Sequence, residues 1–258
     1  MSGDARPDQA PPSRSAAVAG PPASPPSLLA AGRAALRRFW RPFLLIQSAA
    51  IALALAYRFN DAVRAACVVL ARWKTAGGLP FAAAASAIAG GLLPELAKRL
   101  VGRAPMTDRA RAWRDACFNG GFFAFNGVLV DGMYRTLARV IGNDARLSTI
   151  VAKVAFDQFV FTPIIMTLAT TLFLWRQRGW SWARTRPELR RGFIAARVMP
   201  LLVPAWCFWI PIVAIVYALP GPLQFLMFAF ALAAWSLILV FIASDSASDS
   251  ASDSAAAG

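Results

Sequence analysis

Three acidic residues lie inside or at the ends of long apolar stretches: Glu95, Asp131 and Asp157. If these stretches cross a bilayer, an ionised acid at the centre of a helix costs about 2.5 to 3.5 kcal/mol. Each of the three acids therefore needs a partner or a function. Acids that line a water-filled pathway favour cations, while basic residues at its mouths attract anions.

Small and polar residues recur at helical spacing around these acids. In the third apolar stretch one face carries Gly120, Ala124, Gly127, Asp131 and Tyr134, with Asn119 and Asn126 beside it. Similar faces in the fourth and second stretches carry Gln158, Thr162 and Ala169, and Ala82, Ser86 and Gly90. Small residues let helices approach closely, and polar side chains then bond across the contact. These faces are predicted to contact protein or water rather than lipid.

Two interpretations of the polar faces stay open from the residues alone. In the first they are packing seams, and Tyr134, Gln158, Asn126 or an arginine such as Arg135 satisfies the acids. In the second they line a water-filled pathway. The candidate residues for either role are Glu95, Asn126, Asp131, Tyr134, Asp157, Gln158 and Thr162. A carboxylate pair acting as general acid and base is a remote third interpretation, because no other feature indicates a substrate pocket.

The residue types that are missing exclude several kinds of site. There is no histidine, so histidine-dependent nucleophilic catalysis, zinc-protease motifs and histidine-ligated haem are excluded. The three cysteines, Cys67, Cys117 and Cys207, are widely spaced and specify neither a disulfide framework nor a metal site. We expect no catalytic residues, no metal and no cofactor.

The elements that would position the acids are membrane helices. The chain of 258 residues is 58% hydrophobic and carries a net charge of +14, a combination that requires apolar and charged residues to be separated in space. Uncharged intervals occur at 42–57, 75–94, 116–130, 158–175 and 198–244. Pro220-Gly221-Pro222 divides the last one. We predict an all-α polytopic transmembrane bundle of about six membrane-embedded helices, of which four to six are full spans.

The distribution of lysine and arginine predicts the orientation of this bundle. With six spans, 19 of the 27 basic residues fall on the side that holds both termini and 8 on the other. The positive-inside rule then places both termini on the cytoplasmic or matrix-equivalent side. Because the cations are divided between uncharged runs, we expect the lipid bilayer as the partner and no nucleic acid. The polar helix faces would also allow a homo-oligomer.

Four segments follow from composition. Residues 1–27 are rich in Pro, Ala and Ser and are predicted to be disordered. Residues 28–41 combine arginine with apolar residues, as either an organelle-targeting sequence or a helix on anionic headgroups would. Residues 42–243 form the predicted transmembrane bundle. Residues 244–258 form a predicted disordered tail of Ser, Asp and Ala.

One stretch of the sequence, KVAFDQFVFTP at 153–163, resembles the K…DQ…P signature of the Mpv-seventeen/PMP-twenty-two family of peroxisomal membrane proteins and their mitochondrial relatives. Further positions similar to that family are Asp108, Arg111, Arg114, Gly127, Tyr134, Leu137, Trp206, Trp209, Pro220 and Trp235. The chain departs from the family pattern where Asp131 replaces a histidine and Gln224 replaces an arginine. Glu95 lies where the family has an aspartate.

The resemblance covers roughly residues 40–242 and implies a multi-span helical protein of the peroxisomal or mitochondrial inner membrane. It further implies a weakly selective channel for ions or small metabolites. Between the two organelles, the basic segment 28–41 favours mitochondria. A structural membrane protein without a pore is the alternative that the polar helix faces leave open.

Overall fold

The computed structural model describes residues 28–100, 109–190, 192–221 and 223–237. All regular secondary structure within these ranges is helical, which confirms the all-α prediction. The predicted arm 1–27, the tail 244–258 and the last residues of the predicted bundle, 238–243, lie outside the described residues.

Six long helices make up most of the described chain. They are α1 (Leu28–Phe59), α2 (Asp61–Leu100), α3 (Arg109–Val140), α4 (Leu147–Gln177), α5 (Ile194–Ala218) and α6 (Leu223–Leu237). Three of them contain wider π-helical turns, at Ala87–Leu92 in α2, at Asp157–Phe161 in α4 and at Ile194–Val198 in α5, and the first two lie near the acids. Segment 28–41, predicted as a separate basic element, is the first part of α1.

Three of the described helices are long and apolar enough to cross a membrane, namely α2, α4 and α5. Two further apolar stretches are shorter, Phe43–Phe59 within α1 and Leu223–Leu237. Helix α3 holds the third predicted span, but it carries arginines at both ends and its average hydrophobicity is near zero. The described parts of the six predicted segments are therefore helical, and three of them are long and apolar enough to cross a membrane.

The first interhelical connection is shorter than the sequence indicated. We predicted a basic loop over 58–74, but α2 begins at Asp61 and only Asn60 separates it from α1. The Asn60 side-chain oxygen accepts hydrogen bonds from the backbone N–H groups of Ala62 and Val63, at 3.0 and 3.1 Å. Such an N-cap satisfies donors that have no partner within the helix. Local capping therefore starts the helix well before the uncharged interval.

Two breaks interrupt the helical path where proline and glycine occur. Within α2, Gly78 has φ 52° and ψ −133°, a conformation that favours glycine, and Pro80 follows two residues later. Between α5 and α6, Leu219 is extended with ψ 156° immediately before Pro220, as the steric effect of proline on the preceding residue requires. The predicted division of the last apolar interval is confirmed.

Helices α2 and α3 meet through the small-residue faces that their sequences predicted. Ala82 and Ser86 are fully buried, and Gly90, Gly120 and Gly127 are also buried. A Cβ atom at Gly91 would lie 2.6 Å from the Gly120 backbone, and one at Gly127 would lie 2.6 Å from the Ala82 carbonyl oxygen. Along this surface the faces form a packing seam, which is the first of the two interpretations.

The main core lies around α5, whose Phe208, Ile212 and Val216 have no exposed surface. Residues of α1, α2, α3 and α6 pack against them in one cluster. Phe43, Phe208 and Trp235 bring α1, α5 and α6 together through ring contacts of 4.7 to 6.0 Å. Helix α4, which carries Asp157, packs beside α5.

Candidate functional site

A cavity of about 490 Å³ is bounded by α3, α4, α5 and α6. Five of the seven candidate residues line it: Asn126, Tyr134, Asp157, Gln158 and Thr162. The other two, Glu95 and Asp131, do not line it. Tertiary packing therefore divides the polar residues of the predicted spans into one group at a cavity and two acids held elsewhere.

Asp157 is the centre of the polar wall of this cavity. The Tyr217 hydroxyl donates to its Oδ2 at 2.8 Å, and the Gln158 side-chain nitrogen and the Thr162 hydroxyl donate to its Oδ1 at 3.0 and 3.3 Å. Asp157 is 5% exposed. Hydrogen bonds from three donors stabilise a buried charge, so Asp157 is held in place although no lysine or arginine of the described residues contacts it.

The π-helical turn Asp157–Phe161 helps to place these groups. Its wider turn alters the spacing of side chains along α4, and such turns are frequent at functional sites. The Trp206 indole N–H of α5 donates to the Gln158 backbone oxygen at 2.8 Å. This bond ties α5 to the turn that presents Asp157 and Gln158 to the cavity.

Lys153 lies one helical turn before Asp157 and is 1% exposed. Its Nζ is 5.5 Å from the centre of the Tyr217 ring, within the range of a cation–π contact. It forms no ion pair with an acid of the described residues. Tyr217 thus contacts a buried cation through its ring and a buried anion through its hydroxyl.

Asp131 is held in a separate buried cluster of charges between α2 and α3. Lys74 Nζ lies 2.5 Å from its Oδ1, and an Arg135 guanidinium nitrogen lies 2.5 Å from its Oδ2. Both contacts are ion pairs. Arg135 was among the partners that the sequence predicted, whereas Lys74 was assigned to the loop 58–74, which is wrong.

Glu95 is satisfied at the α2–α3 contact near the end of α2. Its Oε1 accepts from Lys98 Nζ at 2.7 Å and from the Asn119 side-chain nitrogen at 3.0 Å. Two of the three acids, Glu95 and Asp131, are therefore members of ion pairs.

Sequence reasoning missed Lys74, Lys153 and Tyr217 as members of the polar clusters. Lys74 and Lys153 were counted as loop residues, because both lie outside the uncharged intervals. Tyr217 was not among the candidate residues. The one signal that pointed to Lys153 was its place in the K…DQ…P signature, four residues before Asp157.

The bond between Tyr217 and Asp157 leads to a stability prediction. Tyr217→Phe is expected to destabilise the protein by about 1.5 kcal/mol, the lower end for a hydrogen bond to a charged group, because Gln158 and Thr162 still donate to the carboxylate. Reversible unfolding of the detergent-solubilised protein measures this. Tyr134→Phe is the matched control, since the Tyr134 ring packs 5.4 Å from Tyr217 without bonding Asp157. Equal losses in the two variants would contradict the prediction.

Among the described residues no group of three or more Cys, Asp or Glu side chains is arranged to hold a metal ion. Comparison of the chain with protein-family models, with curated proteins and with solved structures found no match.

Proposed function

We propose that this protein is an integral membrane protein that forms a weakly selective channel for ions or small metabolites, with the α3–α4–α5–α6 cavity on its pathway. The observation that carries the proposal is the convergence of Asn126, Tyr134, Asp157, Gln158 and Thr162 on one cavity. Buried polar groups that meet inside a helical bundle are characteristic of substrate and ion pathways. The resemblance of residues 153–163 to the Mpv-seventeen/PMP-twenty-two family supports the same function.

The electrostatics of the wall favour passage of cations. Asp157 contributes a carboxylate that is not paired with a lysine or arginine of the described residues. Hydrogen bonds hold it towards the cavity. A fixed negative charge in a region of low dielectric attracts cations more strongly than it would in water. Asp131 and Glu95 then have a structural role, since both are neutralised by basic neighbours.

The proposal includes six membrane-embedded helices, with both termini on the cytoplasmic or matrix-equivalent side, in an organellar membrane. The positive-inside asymmetry supports this orientation, since it is 19 against 6 basic residues when the buried helix residues Lys74 and Lys153 are left out of the 8. The arginine-rich segment 28–41 favours the mitochondrial inner membrane over the peroxisomal membrane.

A structural membrane protein without a pore is the second candidate. The close backbone approach of Gly91 to Gly120 and of Gly127 to Ala82 favours this structural role. Contacts between small residues of this kind stabilise the association of membrane helices. In that case the polar faces serve packing or a homo-oligomer.

Conductance of the purified protein in planar bilayers distinguishes the two candidates. An ion 4 Å from a charge interacts with it by about 4 kcal/mol at an effective dielectric constant of about 20. Asp157→Asn is therefore expected to reduce cation conductance by at least about tenfold. Asp115→Asn, which neutralises an acid outside the cavity that is paired with Arg176, is the control and should leave conductance unchanged. Absence of conductance in the unaltered protein would favour the structural role.

A further inference from the structure

The cavity wall carries hydrogen-bond acceptors that the described residues do not satisfy. Gln158 is 2% exposed, and its side-chain nitrogen donates to Asp157, which directs its Oε1 away from the carboxylate. That Oε1 is buried without a partner. The Asn126 Oδ1 on α3 is likewise buried without a partner, and both residues line the cavity. Unsatisfied buried acceptors cost free energy unless a ligand or water completes them.

The donors around Asp157 are already engaged. The Thr162 hydroxyl and the Gln158 amide nitrogen both donate to Asp157, as does the Tyr217 hydroxyl. The groups near Asp157 that lack a partner among the described residues are therefore acceptors, the amide oxygens of Gln158 and Asn126, and they accompany the carboxylate itself. A ligand that fits this wall must supply donors, and an anion would be repelled.

The charge of Asp157 distinguishes this wall from the other acidic clusters. Asp131 contacts Lys74 and Arg135, and Glu95 contacts Lys98. Asp157 has no such contact in the described part of the chain, and Lys153 reaches it only through the Tyr217 ring. A cationic ligand would supply the ion-pair partner that the protein supplies to the other two acids.

The remainder of the cavity is apolar and rich in aromatic rings. Its aromatic residues are Phe122, Phe123, Phe161, Phe173, Trp209, Phe228 and Trp235, besides Tyr134. Aromatic faces attract ammonium groups and bury hydrocarbon. A volume of about 490 Å³ lies within the range of sites for small organic ligands. A small hydrated inorganic ion would leave most of these rings without a contact.

We infer that this cavity binds a small organic ammonium ion, with its protonated amine on Asp157, Gln158 and Asn126 and its apolar body against the aromatic residues. The inference rests on the proposed function in that it names the class of molecule that enters the pathway. An ammonium group carries N–H donors for the unpartnered oxygens. Its positive charge would also pair with the Asp157 carboxylate.

The test is equilibrium binding by titration calorimetry to the full-length protein in phosphatidylcholine nanodiscs. The probes are 2-phenylethylammonium, neutral propylbenzene and anionic 3-phenylpropionate, which share a phenyl ring and differ in the head group. We expect the ammonium ion to bind at least about tenfold more tightly than either of the others, since one hydrogen bond to a charged group accounts for such a factor. Equal affinity of propylbenzene would overturn the inference, because the acceptors would then play no part.

Two cavity variants and one control locate the site. Asp157→Asn removes the charge, and Gln158→Leu removes the unpartnered oxygen together with the amide nitrogen that donates to Asp157. Each is expected to weaken ammonium binding by at least about tenfold. Asp115→Asn makes the same chemical change as Asp157→Asn outside the cavity and should leave affinity unchanged. If Asp157→Asn fails to fold, Gln158→Leu still decides the question. Unchanged affinity in Gln158→Leu would overturn the inference.

The outcome separates this inference from the proposed channel. Ammonium binding without conductance would support the site and contradict the channel. Conductance of inorganic cations without ammonium binding would support the channel and overturn the site.

Discussion

Asp131→Asn is expected to lower the free energy of unfolding by about 3 to 5 kcal/mol, the range for removing one member of a buried ion pair. Asp131 is 1% exposed, and the Lys74 side chain that it contacts at 2.5 Å is 11% exposed. Without the carboxylate, the Lys74 ammonium would remain buried between α2 and α3 with no counter-charge. Arg135 is half-exposed and would reach solvent, so its contribution to the loss is small.

Unfolding of the detergent-solubilised protein in increasing denaturant measures this loss. The control is Asp115→Asn, whose ion pair with Arg176 is partly exposed and should contribute about 0 to 1 kcal/mol. The double variant Lys74→Met/Asp131→Leu should recover most of the stability, because an apolar pair can replace a buried ion pair at little cost. A loss in Asp131→Asn no larger than in the control would mean that Lys74 extends to water along its apolar stem.

Gly91→Leu is expected to destabilise the protein by at least about 3 kcal/mol, the upper part of the range for overpacking a core. A Cβ atom at this position would lie 2.6 Å from the Gly120 nitrogen and Cα, which are backbone atoms that cannot rotate away. Helices α2 and α3 would have to separate along the seam. That separation would also disturb the Lys74–Asp131 contact, since the same two helices supply it.

Gly121→Leu is the matched control for this prediction. Gly121 follows Gly120 on α3, is exposed, and a Cβ atom there would have no neighbour within 4 Å. Because leucine has a higher helix propensity than glycine, Gly121→Leu should raise stability by about 0.5 to 1 kcal/mol. The two substitutions are thus expected to have opposite signs in the same unfolding experiment. A loss of equal size in both would show that the side chain, and not the α2–α3 contact, causes the effect.

The small-residue faces were predictable because helical spacing places residues four apart on one side. Ala82 and Ser86, predicted on one face, are both fully buried, and the division at Pro220 follows from the geometry of proline itself. The loop over 58–74 was wrong because charge alone was taken as a sign of a loop. Lys74 lies on a helix, and a carboxylate on another helix compensates its charge.

The division of the candidate site could not be predicted in the same way. Tyr134 and Asp131 are three residues apart on α3, yet only Tyr134 lines the cavity, with Asn126 from the same helix. Periodicity places residues on a face but does not say which neighbouring helix that face contacts. Tyr217 reaches Asp157 from 60 residues further along the chain, and no local pattern carries that information.

The sequence by itself determined that the chain is helical, that apolar helices of membrane-spanning length alternate with basic segments, and that a few polar residues occur within them. These properties depend on residue type and local spacing, which a single chain displays directly. Only the tertiary structure decided which acids are neutralised and which one lies at a cavity. The reason is that a charge in a low-dielectric interior is governed by the groups within a few ångströms of it. For Asp131 and Asp157 those groups include Lys74 of α2 and Tyr217 of α5, which are far away in sequence.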